Sequence, residues 1–442
     1  MQNGSRLLDS PQSVLLATGS SGGTIAAVRQ LAKYGLTVGV ISSEALGAAC
    51  WSRFVSRTYH GPIERQSERF LALLLSIGEA CPGQVLLPTS DQTAWLYTCN
   101  ASLLKQHFHL HLPSVDTMRR IMDKSRLSEA AVKAGLTVLP TWEAGSYFDM
   151  EASAPTLLYP ILIKPRTQVH RLQNDKGMVA YSKVELIEKL QAFASRERAD
   201  GGSLDLADAN VPLLQHFVDI SSEGVHSVSG YIDQTGELFV SRHAKKVFQR
   251  SLPAGVGVCF ESLPPDSGLA SSVHRLCREL GYFGIFEVEF IRFGDRWAVI
   301  DFNPRLFNQA GLDASRGMPL PLLAYLDAAG KDKELAELVA KSQEGTYECT
   351  TVFYDRFTLW AILMAKALTG RSSRSEWGYW RRWTRRHARR SVDFAMDLTD
   401  PLPALIHACS EIILGLRSSR RFLSSNSPTS SQAGQVLSKV SS

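Results

Sequence analysis

The stretch Gly281–Arg305, GYFGIFEVEFIRFGDRWAVIDFNPR, concentrates Glu287, Glu289, Asp301 and Asn303 near one arginine. Two β-rich runs, Ile285–Arg292 and Trp297–Phe302, flank the turn residues Gly294 and Asp295, so the spacing predicts a hairpin. Strand side chains alternate with period two, which puts Glu287 with Glu289 and Asp301 with Asn303. Four oxygen-bearing side chains then gather at one end of a hairpin whose other face is apolar. Burying carboxylates without compensation is costly, so these groups are either solvated or bound to a cation. Oxygen donors with no His or Cys beside them suit magnesium better than zinc. Arg305 follows two residues after Asn303, where a guanidinium could hold a phosphate oxygen beside a metal. The alternative is an ordinary hairpin with a wet acidic face.

Other residues carry chemistry at wider spacing. Lys164 is the single charge in the apolar run YPILIKP, an expensive place for an ammonium unless an anion meets it. The basic segment 166–177, RTQVHRLQNDKG, ends in Lys176-Gly177 and has the composition of a loop able to close over phosphates. Asp91 follows the short apolar strand Val85–Pro88, so it is a candidate substrate contact or a helix N-cap. Gly19, Gly22 and Gly23 open a helix and could approach an anion through backbone N–H groups, but their spacing is not the dinucleotide fingerprint. Arg242, Lys245, Lys246 and Arg250, in SRHAKKVFQR, lead into the loop Leu252–Gly257 and are read either as a cationic substrate pocket or as a solvated strand edge.

The elements that must position these groups follow in order. An apolar run at 13–24, a helix at Ile25–Tyr34 and a strand at Thr37–Ser42 form a βαβ unit, and a small α/β domain extends to about Leu112. Ser114–Gly135 reads as one helical stretch containing Asp123-Lys124, and Leu136–Thr141 as a strand. Tyr159–Pro165 and Met178–Tyr181 are strands, Lys183–Ala194 a helix, and 195–211 a solvated insertion. Val211–Val218 is a further strand, and Ser227–Asp233 pairs with Glu237–Ser241 across a turn.

The chain has 442 residues, 44% hydrophobic and 21% charged, which is long enough for two or three domains and ordinary for a globular protein. Its net charge of +5 is uneven, with eight arginines and one acid, Glu376, between Arg371 and Arg390. Seven cysteines without a CxxC pair argue for reduced thiols in a cytoplasmic setting. The first residues show no apolar core of signal-peptide length, and no run reaches the length of a membrane span. In Ser375–Arg390, Trp377, Tyr379, Trp380 and Trp383 alternate with arginines. The favoured reading is a helical appendage that packs its aromatics on the core or a partner, ahead of an anionic membrane surface, with nucleic acid least favoured. The serine-rich tail from Ser418 is expected to be disordered.

Taken together, Lys124 beside a helix, Lys164 before Pro165, Gln215 near a strand end, and FEVEF followed by DFNPR resemble the ATP-grasp ligases over about residues 13–330. The resemblance implies an α/β (α+β) fold: a pre-grasp Rossmann-like domain at 13–112 and a two-lobed ATP-grasp domain at 113–330. Its small lid lobe would span about 136–217 and its large lobe about 218–330. A mainly helical Arg/Trp-rich region at 331–417 and the tail 418–442 would follow.

Residue by residue, it implies that Lys124 and Lys164 hold ATP phosphates and that Lys176 and Gly177 belong to the covering loop. Gln215, Phe217 and Val218 would meet the adenine edge. Glu289, Asp301 and Asn303 would bind Mg2+, for which Mn2+ could substitute, and Arg305 would stabilise charge on the transferred group; Lys246, from the basic run that could line the substrate pocket beside it, is the second candidate catalytic cation. Asp301 stands where the family usually carries Glu, and Glu223, the nearest acid for the ribose, falls about two residues early. Glu287 would support the ligands from behind.

The implied activity is a ligase that activates a carboxylate as an acyl phosphate for attack by an amine, releasing ADP and phosphate. No protein nucleophile is needed, in keeping with the lack of a Ser/His or Cys/His constellation. Its partners would be a small carboxylate and an amine, and homodimers are common in the family. The alternatives are an ATP-binding scaffold presenting the basic C-terminal segment to a membrane or partner, or an ATP-grasp carboxylase or kinase.

Overall fold

The computed structural model describes residues 13–143, 157–167, 169, 177–194, 212–220, 223–250, 255–344, 350–370 and 372–425. The first elements are β1 (Ser13–Leu16), α1 (Gly22–Lys33), β2 (Thr37–Ser42), β3 (Val55–His60), α2 (Ser67–Ala80), β4 (Gln84–Leu86), α3 (Asp91–Cys99), α4 (Ala101–Leu104) and β5 (Phe108–His109). Their strands form a parallel sheet in the order β3-β2-β1-β4-β5. Val14, Leu15 and Leu16 are all fully buried. Helices on both faces of a parallel sheet explain why this strand reads as a continuous apolar run without alternation. Sequence reading passed over β3, whose polar residues VSRTYH form an edge strand.

The expected single helix at 114–135 is two, α5 (Val115–Met122) and α6 (Lys124–Lys133). Asp123 interrupts them because its backbone is extended and its carboxylate accepts from the Ser125 N–H at 2.9 Å, capping α6. The run Leu136–Thr141 likewise divides at Pro140, into β6 (Thr137–Val138) and β7 (Thr141–Glu143). These two short strands enter different sheets.

β8 (Ile161–Pro165), β9 (Met178–Ala180), α7 (Lys183–Ala194) and β10 (Pro212–His216) build the small lobe with β7. Its antiparallel sheet runs β7-β10-β8-β9, and Leu186 and Leu190 of α7 close its apolar side with Ile161, Ile163 and Leu214.

The remaining elements are β11 (Val225–Ile232), β12 (Phe239–Gln249), β13 (Gly257–Leu263), α8 (Ser267–Leu280), β14 (Gly284–Phe293), β15 (Arg296–Asn303), α9 (Ala310–Ser315), α10 (Leu320–Ala328), α11 (Asp332–Glu344), β16 (Val352–Tyr354), α12 (Arg356–Leu368), α13 (Arg374–Arg386), β17 (Ser391–Asp393) and α14 (Leu402–Ser425). The large sheet has eight strands in the order β17-β16-β13-β12-β11-β14-β15-β6. The region after 331 is mainly helical, and its strands β16 and β17 knit it into this sheet. All of the segment Arg242–Arg250 but its last residue belongs to β12, an interior strand between β11 and β13, and not to the solvated edge weighed from sequence.

One face of the large sheet is covered by a helical back layer. α6 and α8 pack on β11, β14 and β15 through Leu127, Ala131, Val273, Leu276, Phe286 and Phe290. α12 and α13 extend that layer over β13 and β16 through Leu359, Leu363, Trp380 and Trp383. Of the aromatics of α13, Trp380 and Trp383 pack on the core and Trp377 lies partly against it, whereas Tyr379 is 48% exposed. Among the described residues no helix is long and apolar enough to cross a membrane.

The glycines at the head of α1 are explained by packing and not by an anion. A Cβ on Gly23 would lie 2.6 Å from the Phe307 carbonyl oxygen, and one on Gly22 would meet the Phe394 ring at 2.4 Å. The Ser21 hydroxyl donates to Asn308 at 3.0 Å across the same contact.

Candidate active site

The other face of the large sheet looks into a cavity of about 370 Å³ shared with the lid lobe. Strand register explains which side chains meet there. Glu289 lies directly opposite Asp301, and Glu287 opposite Asn303, so all four share a face, as the hairpin spacing predicted. A bulge between Glu289 and Phe290 inserts Ile300, so that Ile300 and Asp301, adjacent in sequence, both reach the cavity. On the neighbouring strands Ser227 faces both Glu289 and Ala244, which brings Lys246 to the same face.

The charges meet in opposite pairs. Lys246 Nζ donates to Glu289 at 2.7 Å, and Lys124 Nζ donates to Asp301 at 2.5 Å. Lys124 is the first residue of α6, held there because Asp123 caps that helix and also binds Arg166 Nε at 2.9 Å. Arg305 Nε and Nη2 grip both oxygens of Asp91, at 3.0 and 3.3 Å, across the interface with the first domain. Ser90 caps α3, so Asp91 is freed from that role and takes the guanidinium.

The amide of Asn303 is oriented from both ends. Its Nδ2 donates to Glu287 at 3.0 Å, and its Oδ1 accepts from Arg305 Nη2 at 2.9 Å. Glu287, 3% exposed, also accepts from the Gln309 amide. Burial, then the neighbouring charge of Glu289, pushes the Glu287 carboxyl well above the usual carboxylate range. Asp301 moves the other way: burial would raise it, but the Lys124 ammonium outweighs that and holds it low. Burial would likewise depress Lys246, and the charge and hydrogen bond of Glu289 keep it above its ordinary value.

Lys164 differs from the other cations. Its Nζ donates to the neutral amide oxygen of Gln215 at 2.8 Å, and Gln215 Nε2 is anchored on Thr141 at 3.1 Å. Burial first, and then repulsion from Lys124, lowers Lys164 to about 7. An anion placed between Lys124 and Lys164 relieves both effects.

The cavity continues into an apolar slot between the lobes, lined by Leu139, Leu162, Val218, Val225, Ile291 and Ile300. Its rim is the chain crossing from β10 to β11. There the Phe217 N–H donates to the Pro160 carbonyl at 2.8 Å and the His216 N–H to Pro140 at 2.9 Å, tying the crossing to the lid.

Solved structures with this fold are numerous, though distant in sequence. The biotin carboxylase domain of Hydrogenobacter thermophilus 2-oxoglutarate carboxylase, crystallised with MgADP and bicarbonate, superposes with TM-score 0.56 at 16% identity, covering 72% of this chain and 70% of its own. The L-amino acid ligase of Bacillus licheniformis gives TM-score 0.56 at 14% identity, with 73% and 75% covered. N5-carboxyaminoimidazole synthetase of Staphylococcus aureus gives 0.54 at 14% identity, with 73% and 78% covered. The chain has the ATP-grasp fold.

In sequence, the ATP-grasp chain is 23% identical over 232 residues to the arginine-specific carbamoyl phosphate synthase large chain of Halalkalibacterium halodurans. It is 25% identical over 239 residues to the large chain of Beutenbergia cavernae. These matches take in 50% and 51% of this chain, which spans only 20% of each curated relative. No family model matches it.

Of the site residues expected from sequence, Lys124, Lys164, Gln215, Phe217, Val218, Lys246, Glu289, Asp301, Asn303 and Arg305 all line the cavity. Lys176 lies outside the described residues. Gly177, at φ +89°, packs where a Cβ would meet the Ile163 carbonyl oxygen at 2.5 Å. Glu223 is exposed on a turn and does not line the cavity. Of the basic residues in the run 242–250, Lys246 lines the cavity and Lys245 does not, Arg242 is buried on the carbonyls of Ser342 and Arg316, and Arg250, just past β12, pairs with Glu411 of α14. Sequence reading missed Asp123, Arg166 and Gln309, which act through their neighbours. Only the Asp-Lys step inside a helical run could have signalled the first.

Proposed function

We propose that the protein is an ATP- and Mg2+-dependent ligase that activates a carboxylate for attack by an amine. The observation that carries this reading is the facing arrangement of Lys124 and Lys164 against Glu289, Asp301 and Asn303, beside a slot lined by apolar side chains that could take a flat base. A polyphosphate with its metal fits between those walls, replacing each lysine–carboxylate pair with lysine–phosphate and carboxylate–metal contacts.

The donor set suits magnesium. Glu289, Asp301 and the Asn303 amide oxygen are hard ligands, and Mg2+ is ordinarily held by one or two carboxylates together with substrate phosphates. The bound metal would neutralise phosphate charge; the rest falls to the chain itself.

The adenine enters the slot between Leu162 and Ile291, and the Val218 backbone meets its edge, since the Phe217 N–H is spent on Pro160. Lys124 and Lys164 hold phosphate oxygens. A substrate carboxylate oxygen attacks the terminal phosphorus as the bond to ADP breaks, and Arg305, steadied by Asp91, compensates the charge that develops on the transferred group. An amine then attacks the acyl carbon, phosphate leaves, and the amine gives up its proton. Lys246, with Gly255–Gly257 beside it, faces the side of the cavity where that carboxylate would dock. A homodimer and a cytoplasmic setting belong to the same reading.

Thermal unfolding with a non-hydrolysable ATP analogue tests the site, because a ligand that binds only the native state raises the midpoint. A shift that needs magnesium, followed by amine- and acid-dependent ADP release, is expected. No shift in a folded protein overturns the reading. Release of ADP with bicarbonate and no amine would reassign it as a carboxylase.

A further inference from the structure

Helices α12 and α13 lie side by side on the large sheet's back. Trp360 stacks near Trp377 with centroids 5.6 Å apart, and Phe248 of β12 meets both Lys366 of α12 and Trp380 of α13. Both helices rest on the face carrying Cys259 and Tyr354, which are register partners, whereas Phe260, the next residue, lines the cavity. Their outer surfaces therefore point away from the nucleotide cleft.

Those outer surfaces are unlike the rest of the molecule. On α13, the buried residues Trp380 and Trp383 fix the inward face, and Arg374, Arg381, Arg382, Arg385 and Arg386 fan out on the opposite one, followed by Arg389. The guanidinium groups of Arg381, Arg382, Arg385, Arg386 and Arg389 make no ion pair or hydrogen bond among the described residues. The helix's one acid, Glu376, is already taken by Lys366 at 2.8 Å and Ser372 at 2.9 Å. On α12, Ala361, Met364, Ala365 and Leu368 share the outward face at helical spacing, with Met364 56% and Leu368 86% exposed.

We infer that this surface docks on an anionic lipid bilayer. The arginine face complements acidic headgroups, and the adjoining apolar face has a place to go only where headgroups give way to acyl chains. A nucleic acid would satisfy the arginines and leave Met364 and Leu368 in water. The proposal is independent of what the cleft does, and it leaves the cleft's mouth on the far side of the sheet.

The full-length chain is to be sedimented with vesicles of phosphatidylcholine alone or mixed with phosphatidylserine. Binding to the mixed vesicles only, weakening as salt rises, is expected. Arg382→Gln with Arg385→Gln should lower the affinity roughly 25-fold, on the order of fivefold per arginine. Leu368→Glu should weaken vesicle binding through the apolar face alone. These side chains are exposed, so both variants should keep the wild-type unfolding midpoint. No binding to mixed vesicles, or vesicle binding indifferent to either variant, overturns the proposal. So does preference for a duplex oligonucleotide that depends on the arginines and ignores Leu368→Glu, which would assign the surface to nucleic acid.

Discussion

The two sides of the eight-stranded sheet treat charge in opposite ways. On the front, Lys124 meets Asp301, Lys246 meets Glu289, and Arg305 meets Asp91, all largely buried. On the outside of the back layer, five exposed arginines have no partner among the described residues. Buried charges must be paired because desolvating one alone costs far more than it returns, so a ligand can enter the front only by exchanging partners with what is there. Exposed charges are screened and cheap, so the back can present an excess of one sign and wait for a surface of the other.

The comparison breaks most severely at Asp301. Asp301→Asn removes a ligand from the proposed magnesium shell and the partner of Lys124 together, and should lower kcat/KM for ADP release roughly 10²–10³-fold. The fold should survive, as circular dichroism and a retained cooperative transition would show. Turnover near wild type would mean that the hairpin's acids are only structural.

Asp91→Asn probes a pair formed between two domains. Arg305 would lose its two-point grip, and kcat should fall about 10–100-fold, the usual cost of removing a supporting partner. Because Asp91 acts by positioning, KM for ATP should scarcely move and Asp91→Glu should restore part of kcat. A rise in the KM of the carboxylate substrate with kcat intact would instead make Asp91 a substrate contact.

The front pairs were legible in the sequence to the extent that strand periodicity fixes faces. Glu287, Glu289, Asp301 and Asn303 fall into register because period two leaves no freedom once both strands are assigned. The same rule could not place Arg242 and Lys246 correctly together: strand parity puts both on one face, but Arg242 is carried past the cavity onto the carbonyls of Ser342 and Arg316. That outcome depends on helices distant in sequence. The division of 114–135 at Asp123 was hidden because the apolar spacing persists across it, and only the capping carboxylate and its tie to Arg166 break the helix. Pro140 was visible, but that its two sides belong to different sheets depends on which strand each one meets. The C-terminal strands β16 and β17, three residues each, are too short to carry a pattern.

Lys164 sharpens the comparison, because it is a front cation whose hydrogen-bond partner is a neutral amide. Its folded value of about 7 lies below that of the unfolded chain, so its protonation opposes folding. Stability should therefore rise with pH between about 7 and 10.5, the window in which the unfolded chain alone keeps its proton. In the proposed function, nucleotide phosphates would restore the missing counter-charge and lift the value. ATP-analogue binding at pH 8 should thus take up a proton, measured by calorimetry in buffers of different ionisation enthalpy. Affinity should fall as pH rises above 7, by up to about tenfold per unit. Lys164→Gln should abolish both effects, and proton uptake unchanged in that variant would assign it elsewhere.

The smallest expected effect is the strictest test that the two sides are separate. Arg385→Gln alters an exposed guanidinium, and exposed substitutions of this kind usually change stability by no more than about 0.5 kcal/mol. Its charge lies across the sheet from the cleft, with Trp380, Trp383 and the strands between, and salt screens what passes through solvent. The midpoint shift produced by the ATP analogue with magnesium should therefore equal that of the unaltered chain. A changed shift would show that the back layer bears on the proposed nucleotide site. β12, which carries Lys246 on one face and packs Phe248 against Trp380, would then be the element that transmits it.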